Sequence, residues 1–124
     1  MMLYLFVGLG GALGAIFRIA LTKILPPFFA TIPLPIMIIN ILGCFTLGAL
    51  TEILAVSWNA SWNVRHLMVQ GFLAGFTTFS SFSLEFGLLY EKGHYSSALI
   101  YAVLSVILSL AGFFLGLRLI RLFA

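Results

Sequence analysis

The chain has 124 residues, 63% of them hydrophobic and 7% charged, with six Lys+Arg against three Asp+Glu for a formal net charge of +3. A water-soluble domain carries roughly 25% charged residues, so that class is excluded; at ~20 apolar residues per membrane span, four spans with short turns fill the length and leave no room for a soluble catalytic domain. The basic residues are scattered rather than clustered, which excludes a nucleic-acid footprint, and the single cysteine, Cys44, excludes an internal disulfide and a multi-cysteine metal site.

In chain order, the first apolar run covers about residues 2–25 and meets its first charges at Arg18 and Lys23. It is too long, and too weakly basic at its start, for a signal peptide. Pro26, Pro27, Pro33 and Pro35 bracket the following loop, and a proline in the first turn of a helix loses no hydrogen bond, so Pro33 or Pro35 can open the second span, residues 34–56. Ser57 to Asn63 reads as a short loop that sets Trp58 and Trp62 at headgroup level. The third span covers residues 64–90 and closes at Glu91-Lys92-Gly93-His94; the fourth covers residues 95–123. The whole chain is thus expected to form one all-α, four-span membrane domain with both termini on one side.

Lys/Arg asymmetry between loops sets orientation, and here there is none. Arg65, Arg118 and Arg121 fall on the terminal side, Arg18, Lys23 and Lys92 on the other. The balance predicts insertion both ways up, and from that dual topology an antiparallel homodimer in which each orientation finds its inverted copy.

Helices in lipid approach one another through small residues. Gly10-x-x-x-Gly14, Gly71-x-x-x-Gly75 and Gly112-x-x-x-Gly116 provide such faces on three spans, and Gly43 and Gly48 serve the second. The third span also holds five hydroxyl residues within Thr77–Ser83. Hydroxyls can re-satisfy freed backbone groups, so the sequence predicts a helix broken near its middle, where freed carbonyls can coordinate a cation. Phe79 and Phe82, three apart, share one face. On the fourth span Tyr101, Ser105 and Ser109 recur at i, i+4 and i+8 and form a stripe of donors. Asn40, the amide of the second span, either offers donors to a permeant species or bridges helices; buried unpaired it would cost ~2–7 kcal/mol. Arg18 lies in register with Gly10 and Gly14 and can snorkel from near its helix end. Gln70 and Glu85 bracket the break, with Glu85 placed to cap or pair. Neutral donors and phenyl ring edges at depth suit a small anion; a cation pathway would use acidic rings and a large-anion pore Arg or Lys rings.

The string Gly75-Phe76-Thr77-Thr78-Phe79-Ser80-Ser81-Phe82-Ser83 with Glu85 closely resembles the third-span signature of the Fluc (CrcB-type) fluoride channels. Gly10-Gly11-Ala12-Leu13-Gly14 through Arg18 resembles the first-span motif of that family, and Asn40-x-x-Gly43-x-Phe45-x-x-Gly48 its second. The resemblance implies a passive, fluoride-selective channel in a prokaryotic inner membrane, built as a dual-topology antiparallel homodimer with two pores and a structural sodium ion at its centre. It assigns the backbone carbonyls of Ala74 and Thr77 to sodium. The pore or fluoride-binding residues it implies are Asn40, Thr78, Phe79, Phe82, Tyr101, Ser105 and Ser109. Two departures stand out: Ala74-Gly75 replaces the usual Gly-Gly, which preserves a carbonyl ligand, and Pro35-Ile36 stands where Gly-Thr is common. The alternative is a small dual-topology multidrug exporter, disfavoured because such proteins use a glutamate in the first span and no acidic residue precedes Glu52. With His66 and His94 near loops and no nucleophile–base or metal-ligand set at depth, an enzyme is not expected.

Overall fold

The computed structural model describes residues 1–29, 31–56 and 58–123. Four helical stretches are long and apolar enough to cross a membrane: Met2–Ile24, Pro35–Val56, Trp62–Glu91 and Tyr95–Phe123. Among the described residues, strand is confined to β1 (Phe28–Phe29) and β2 (Ile32–Pro33), an antiparallel pair in the first connection. Ser57, expected in the second loop, lies outside the described residues.

The first, second and fourth stretches are single helices, α1 (Met2–Ile24), α2 (Pro35–Val56) and α6 (Tyr95–Phe123). Proline stands at the first position of α2, where its missing N–H leaves no intrahelical bond unmade. The third stretch is composite: α3 (Trp62–His66), a π-helical segment over Leu67–Leu73, α4 (Ala74–Phe76) and α5 (Phe79–Glu91). It begins at Trp62 rather than residue 64 because Ser61 caps it, its Oγ accepting from the Val64 N–H at 3.3 Å. At the other end Gly93, at φ 82°, lets the chain reverse into α6. There the Gly93 N–H donates to the Tyr90 carbonyl at 3.0 Å and the His94 N–H to that of Leu89 at 2.9 Å, closing α5 with a left-handed cap.

The helices pack chiefly in two pairs, α2 with α6 and α1 with the third stretch. Glycine makes both possible. A Cβ on Gly75 would lie 2.6 Å from the Gly11 carbonyl oxygen, and one on Gly71 would lie 2.9 Å from the Gly10 Cα, so α1 and the third stretch touch backbone to backbone. Gly48 and Gly116 do the same for α2 and α6, set against the Phe113 and Phe45 backbones. Such close approach supplies the dispersion contact that hydrophobic burial cannot provide within lipid. A small core of Met37, Leu89, Ala98 and Tyr101 has Phe82 and Phe86 packed against it. The exterior is apolar, with Leu5, Leu9, Leu13 and Ile16 of α1 all exposed. Near the ends of α2 and α6, Arg121 Nη2 meets Glu52 Oε2 at 3.1 Å.

Candidate functional site

After Phe76 the backbone leaves the helical region: Thr77 takes φ −88°, ψ 153° and Thr78 φ −154°, ψ 126°, and α5 starts at Phe79. The two threonines hold this extended pair through their own hydroxyls. Thr77 Oγ1 donates to the Leu73 carbonyl at 2.9 Å, the same carbonyl that accepts the Thr77 N–H at 3.0 Å. Thr78 caps α5, its Oγ1 accepting from the Ser81 N–H at 3.2 Å and sharing a hydrogen bond with Ser80 Oγ at 2.9 Å.

Two side chains from other helices reach the same place. Asn40 of α2 pairs with the Thr78 backbone in both senses: its Oδ1 accepts from the Thr78 N–H at 2.9 Å and its Nδ2 donates to the Thr78 carbonyl at 3.2 Å. Arg18 of α1 donates from Nε to the Gly75 carbonyl at 3.2 Å. In an unbroken α-helix the Thr78 N–H would bond the carbonyl of Ala74, and the Ser81 N–H that of Thr77. Both amides are spent elsewhere, on Asn40 and on the Thr78 hydroxyl, so the carbonyls of Ala74 and Thr77 lose their helical donors.

Beside the extended pair runs a row of rings and hydroxyls. Phe79 and Phe82 have centroids 5.3 Å apart at 41°, and Phe82 stacks on Tyr101 at 5.3 Å and 25°. Phe79 is exposed, Phe82 half-buried and Tyr101 fully buried. The Tyr101 hydroxyl donates to Glu85 Oε2 at 3.0 Å, so its one hydrogen is committed there. One turn on, Ser105 is 5% exposed and its hydroxyl is buried without a hydrogen-bond partner among the described residues. A buried hydroxyl left so costs ~1–3 kcal/mol. Ser109, a further turn along α6, is half-buried.

Asn40, Thr78, Phe79, Phe82, Ser105 and Ser109 line one cavity of about 230 Å³, drawn from α2, the third stretch and α6. Tyr101 is not on that wall; it lies behind Phe82. Thr77 and Cys44 line this cavity and also a second of about 290 Å³, where they are joined by Gln70 and Ala74. Among the described residues, no charged side chain lines either cavity. What the walls offer is amide and hydroxyl hydrogens, ring edges and backbone carbonyls, a set that can share the hydration shell of a small ion without binding it as an ion pair.

Several features escape a reading of the sequence. Cys44 and Val106 complete the first cavity; the signal available for Cys44 is its place one turn beyond Asn40. The Nε of Arg18 donates to a carbonyl 57 residues away, a partner that its place on the first span does not announce. Glu85 finds its partner in Tyr101, a pairing that distance along the chain does not announce.

A family model described as "CrcB-like protein, Camphor Resistance (CrcB)" matches residues 5–117. The chain is 40% identical over 124 residues to a protein of Rhizobium leguminosarum bv. trifolii named "Fluoride-specific ion channel FluC", with 97% of each chain covered. Proteins of the same name from Rhodopseudomonas palustris and Francisella philomiragia are each 41% identical, over 121 residues (97% of this chain and 98% of the relative) and 119 residues (93% and 92%).

Proposed function

This chain belongs to the CrcB-like family, and from that premise we propose that it is a passive fluoride channel of a prokaryotic inner membrane. One observation carries the reading. The ring-and-hydroxyl cavity holds donors from three helices and no charged side chain among the described residues, and the Ser105 hydroxyl on its wall is buried with no hydrogen-bond partner among them. Fluoride is small and strongly hydrated, so a pathway for it must replace much of its water shell. The second hydrogen of the Asn40 amide and the hydroxyls of Thr78, Ser105 and Ser109 can do this in short steps. The ring edges of Phe79 and Phe82 carry the positive end of the phenyl quadrupole and add weaker contact. Moderate sites in series let an ion enter and still leave. Tyr101 serves through Phe82, on which it stacks, and through Glu85, which its hydroxyl holds. The chemistry is transport, not catalysis. Direction follows from the gradient: fluoride that enters as the weak acid from a more acidic exterior ionises inside and leaves through the pore.

The functional unit in this reading is a dual-topology antiparallel homodimer with two pores. Balanced loop charges and the exposed apolar faces of the single chain support it. The third span is broken at Thr77–Thr78. The carbonyls of Ala74 and Thr77, deprived of helical donors, fit a structural sodium ion, a hard cation served by neutral oxygens; when bound, it would supply a positive charge near the path of the anion.

The experiment is fluoride release from vesicles containing the purified protein, followed with a fluoride electrode while a potassium ionophore carries the compensating charge. Rapid release of fluoride with chloride retained is expected. Equal release of both ions, or of neither, would end this reading.

A further inference from the structure

We propose that Arg18 is a positioning residue: its Nε–H takes the place of the Phe79 amide at the Gly75 carbonyl and so holds the extended Thr77–Thr78 backbone on which the pathway is built. In an unbroken helix the Gly75 carbonyl would accept from the Phe79 N–H. Phe79 instead stands at the first position of α5, and the donor at 3.2 Å is Arg18 Nε. Arg18 lies six residues before the end of α1 at Ile24, about 9 Å at 1.5 Å per residue, and yet its Nε is held on a carbonyl of the neighbouring span.

The surroundings fix that contact. Gly14, one turn before Arg18, lies so close to the third span that a Cβ there would come within 2.8 Å of the Phe76 nitrogen, and Gly75 itself is pressed against Gly11. Phe17, the neighbour of Arg18, has its ring 6.0 Å from that of Phe72 and 5.5 Å from that of Phe76. The α1 backbone therefore delivers the arginine to α4 in a set position, and the planar guanidinium loses little freedom in making the bond. Asn40 holds Thr78 from the α2 side. The extended pair is thus gripped at both ends by side chains of its own protomer, Gly75 from α1 and Thr78 from α2.

The test separates donation from charge. Glutamine carries its Nε2 at the same fourth side-chain atom as arginine Nε but has no charge; lysine keeps the charge and moves its nitrogen one atom further out. Arg18→Gln, Arg18→Lys and Arg18→Leu are purified and reconstituted beside the wild type. Two quantities are read: hydrogen–deuterium exchange of the amides of residues 77–80, and fluoride efflux. Loss of a hydrogen bond from a charged donor predicts that Arg18→Leu raises exchange and lowers efflux at least tenfold each, on the order expected from one such bond. Arg18→Gln stays within about threefold of wild type in both, a spread below one neutral hydrogen bond. If Arg18→Gln behaves like Arg18→Leu while Arg18→Lys is normal, the residue acts by charge and the proposal fails. It fails too if exchange is unchanged in all three. Should Arg18→Leu not assemble, the Gln and Lys variants decide by the same readouts. The efflux arm rests on the channel reading and the exchange arm does not: a wild type silent to fluoride whose amides still respond to Arg18→Leu and not to Arg18→Gln would sink that reading and support the clamp.

Discussion

Replacing Asn40 with leucine, nearly its isostere, removes two hydrogen bonds while keeping the volume. The Thr78 N–H loses its acceptor at 2.9 Å and the Thr78 carbonyl its donor at 3.2 Å. A fully buried backbone group left unmet costs ~1–3 kcal/mol; Thr78 is half-buried, so the lower end applies and keeping Thr77–Thr78 extended would cost about 2 kcal/mol more than before. The chain has a cheaper course. The freed Thr78 amide can return to the Ala74 carbonyl and rebuild a helical turn, which withdraws that carbonyl from any cation. At 1.4 kcal/mol per factor of ten, ~2 kcal/mol shifts the balance between the two arrangements about thirtyfold. The assay is fluoride efflux at matched protein-to-lipid ratio, together with thermal unfolding of the detergent-solubilised protein in sodium and in a large organic cation. Asn40→Leu is expected to lower efflux about thirtyfold or more, and the higher unfolding temperature in sodium that the proposed ion site predicts for the wild type is expected to vanish in this variant. Asn40→Asp keeps an acceptor for the Thr78 N–H but sets a second one against the Thr78 carbonyl, so it too loses flux. Efflux and sodium dependence both at wild-type level in Asn40→Leu would refute the reasoning.

Other consequences are as direct. Phe79→Ile and Phe82→Ile should each cut fluoride efflux with the size-exclusion profile unchanged, and at about 0.5–1.5 kcal/mol per lost ring contact Phe82→Ile, which loses two such contacts, should lower thermal stability more than Phe79→Ile, which loses one; full flux in both would remove the pair from the pore. Ser105→Ala deletes a hydroxyl that has no hydrogen-bond partner among the described residues, so the folded protein should be as stable as wild type or more so, while fluoride flux falls; destabilisation without loss of flux would show the hydroxyl to be structural. Gly14→Val drives a branched side chain into the backbone of Phe72 and Phe76, and the variant should fail to purify as a single species. A cysteine in a C-terminal tag, in a Cys44→Ala background, should be labelled from both faces of the membrane by an impermeant maleimide; labelling from one face only contradicts dual topology.

The helices were the most legible part of this chain. Four apolar runs separated by proline, tryptophan-flanked and glycine-containing turns mark the four membrane-length stretches, because hydrophobic length is a property of sequence alone. The glycine spacing on the first and third spans likewise marks the faces that meet, since only a missing Cβ allows the approach seen at Gly75 and Gly11. The π-helical segment over Leu67–Leu73 has no such mark: it inserts a local change of hydrogen-bond register into an ordinary apolar sequence. The site was legible by residue type but not by partnership. The cluster Thr77–Ser83 is conspicuous in the sequence, whereas which oxygen each hydroxyl serves is settled by contacts between spans. Asn40 illustrates the difference. Its place in an apolar run announces that it must be paired, and it pairs with the Thr78 backbone in both senses with a single amide hydrogen to spare, so the two meanings left open by the sequence, donor and bridge, both stand. Arg18 and Glu85 depend entirely on neighbours 57 and 16 residues away.

The central claim is that uncharged donors in this chain pass fluoride, and pass it passively. The reversal potential of a planar bilayer containing the purified protein, with fluoride and chloride on both sides and the fluoride ratio, the chloride ratio and the pH difference each varied in turn, tests it most directly. The account predicts a potential that moves by about 59 mV for each tenfold change in fluoride gradient, and that ignores both the chloride gradient and an imposed pH difference. A potential that follows chloride, or that shifts with the proton gradient, would contradict it.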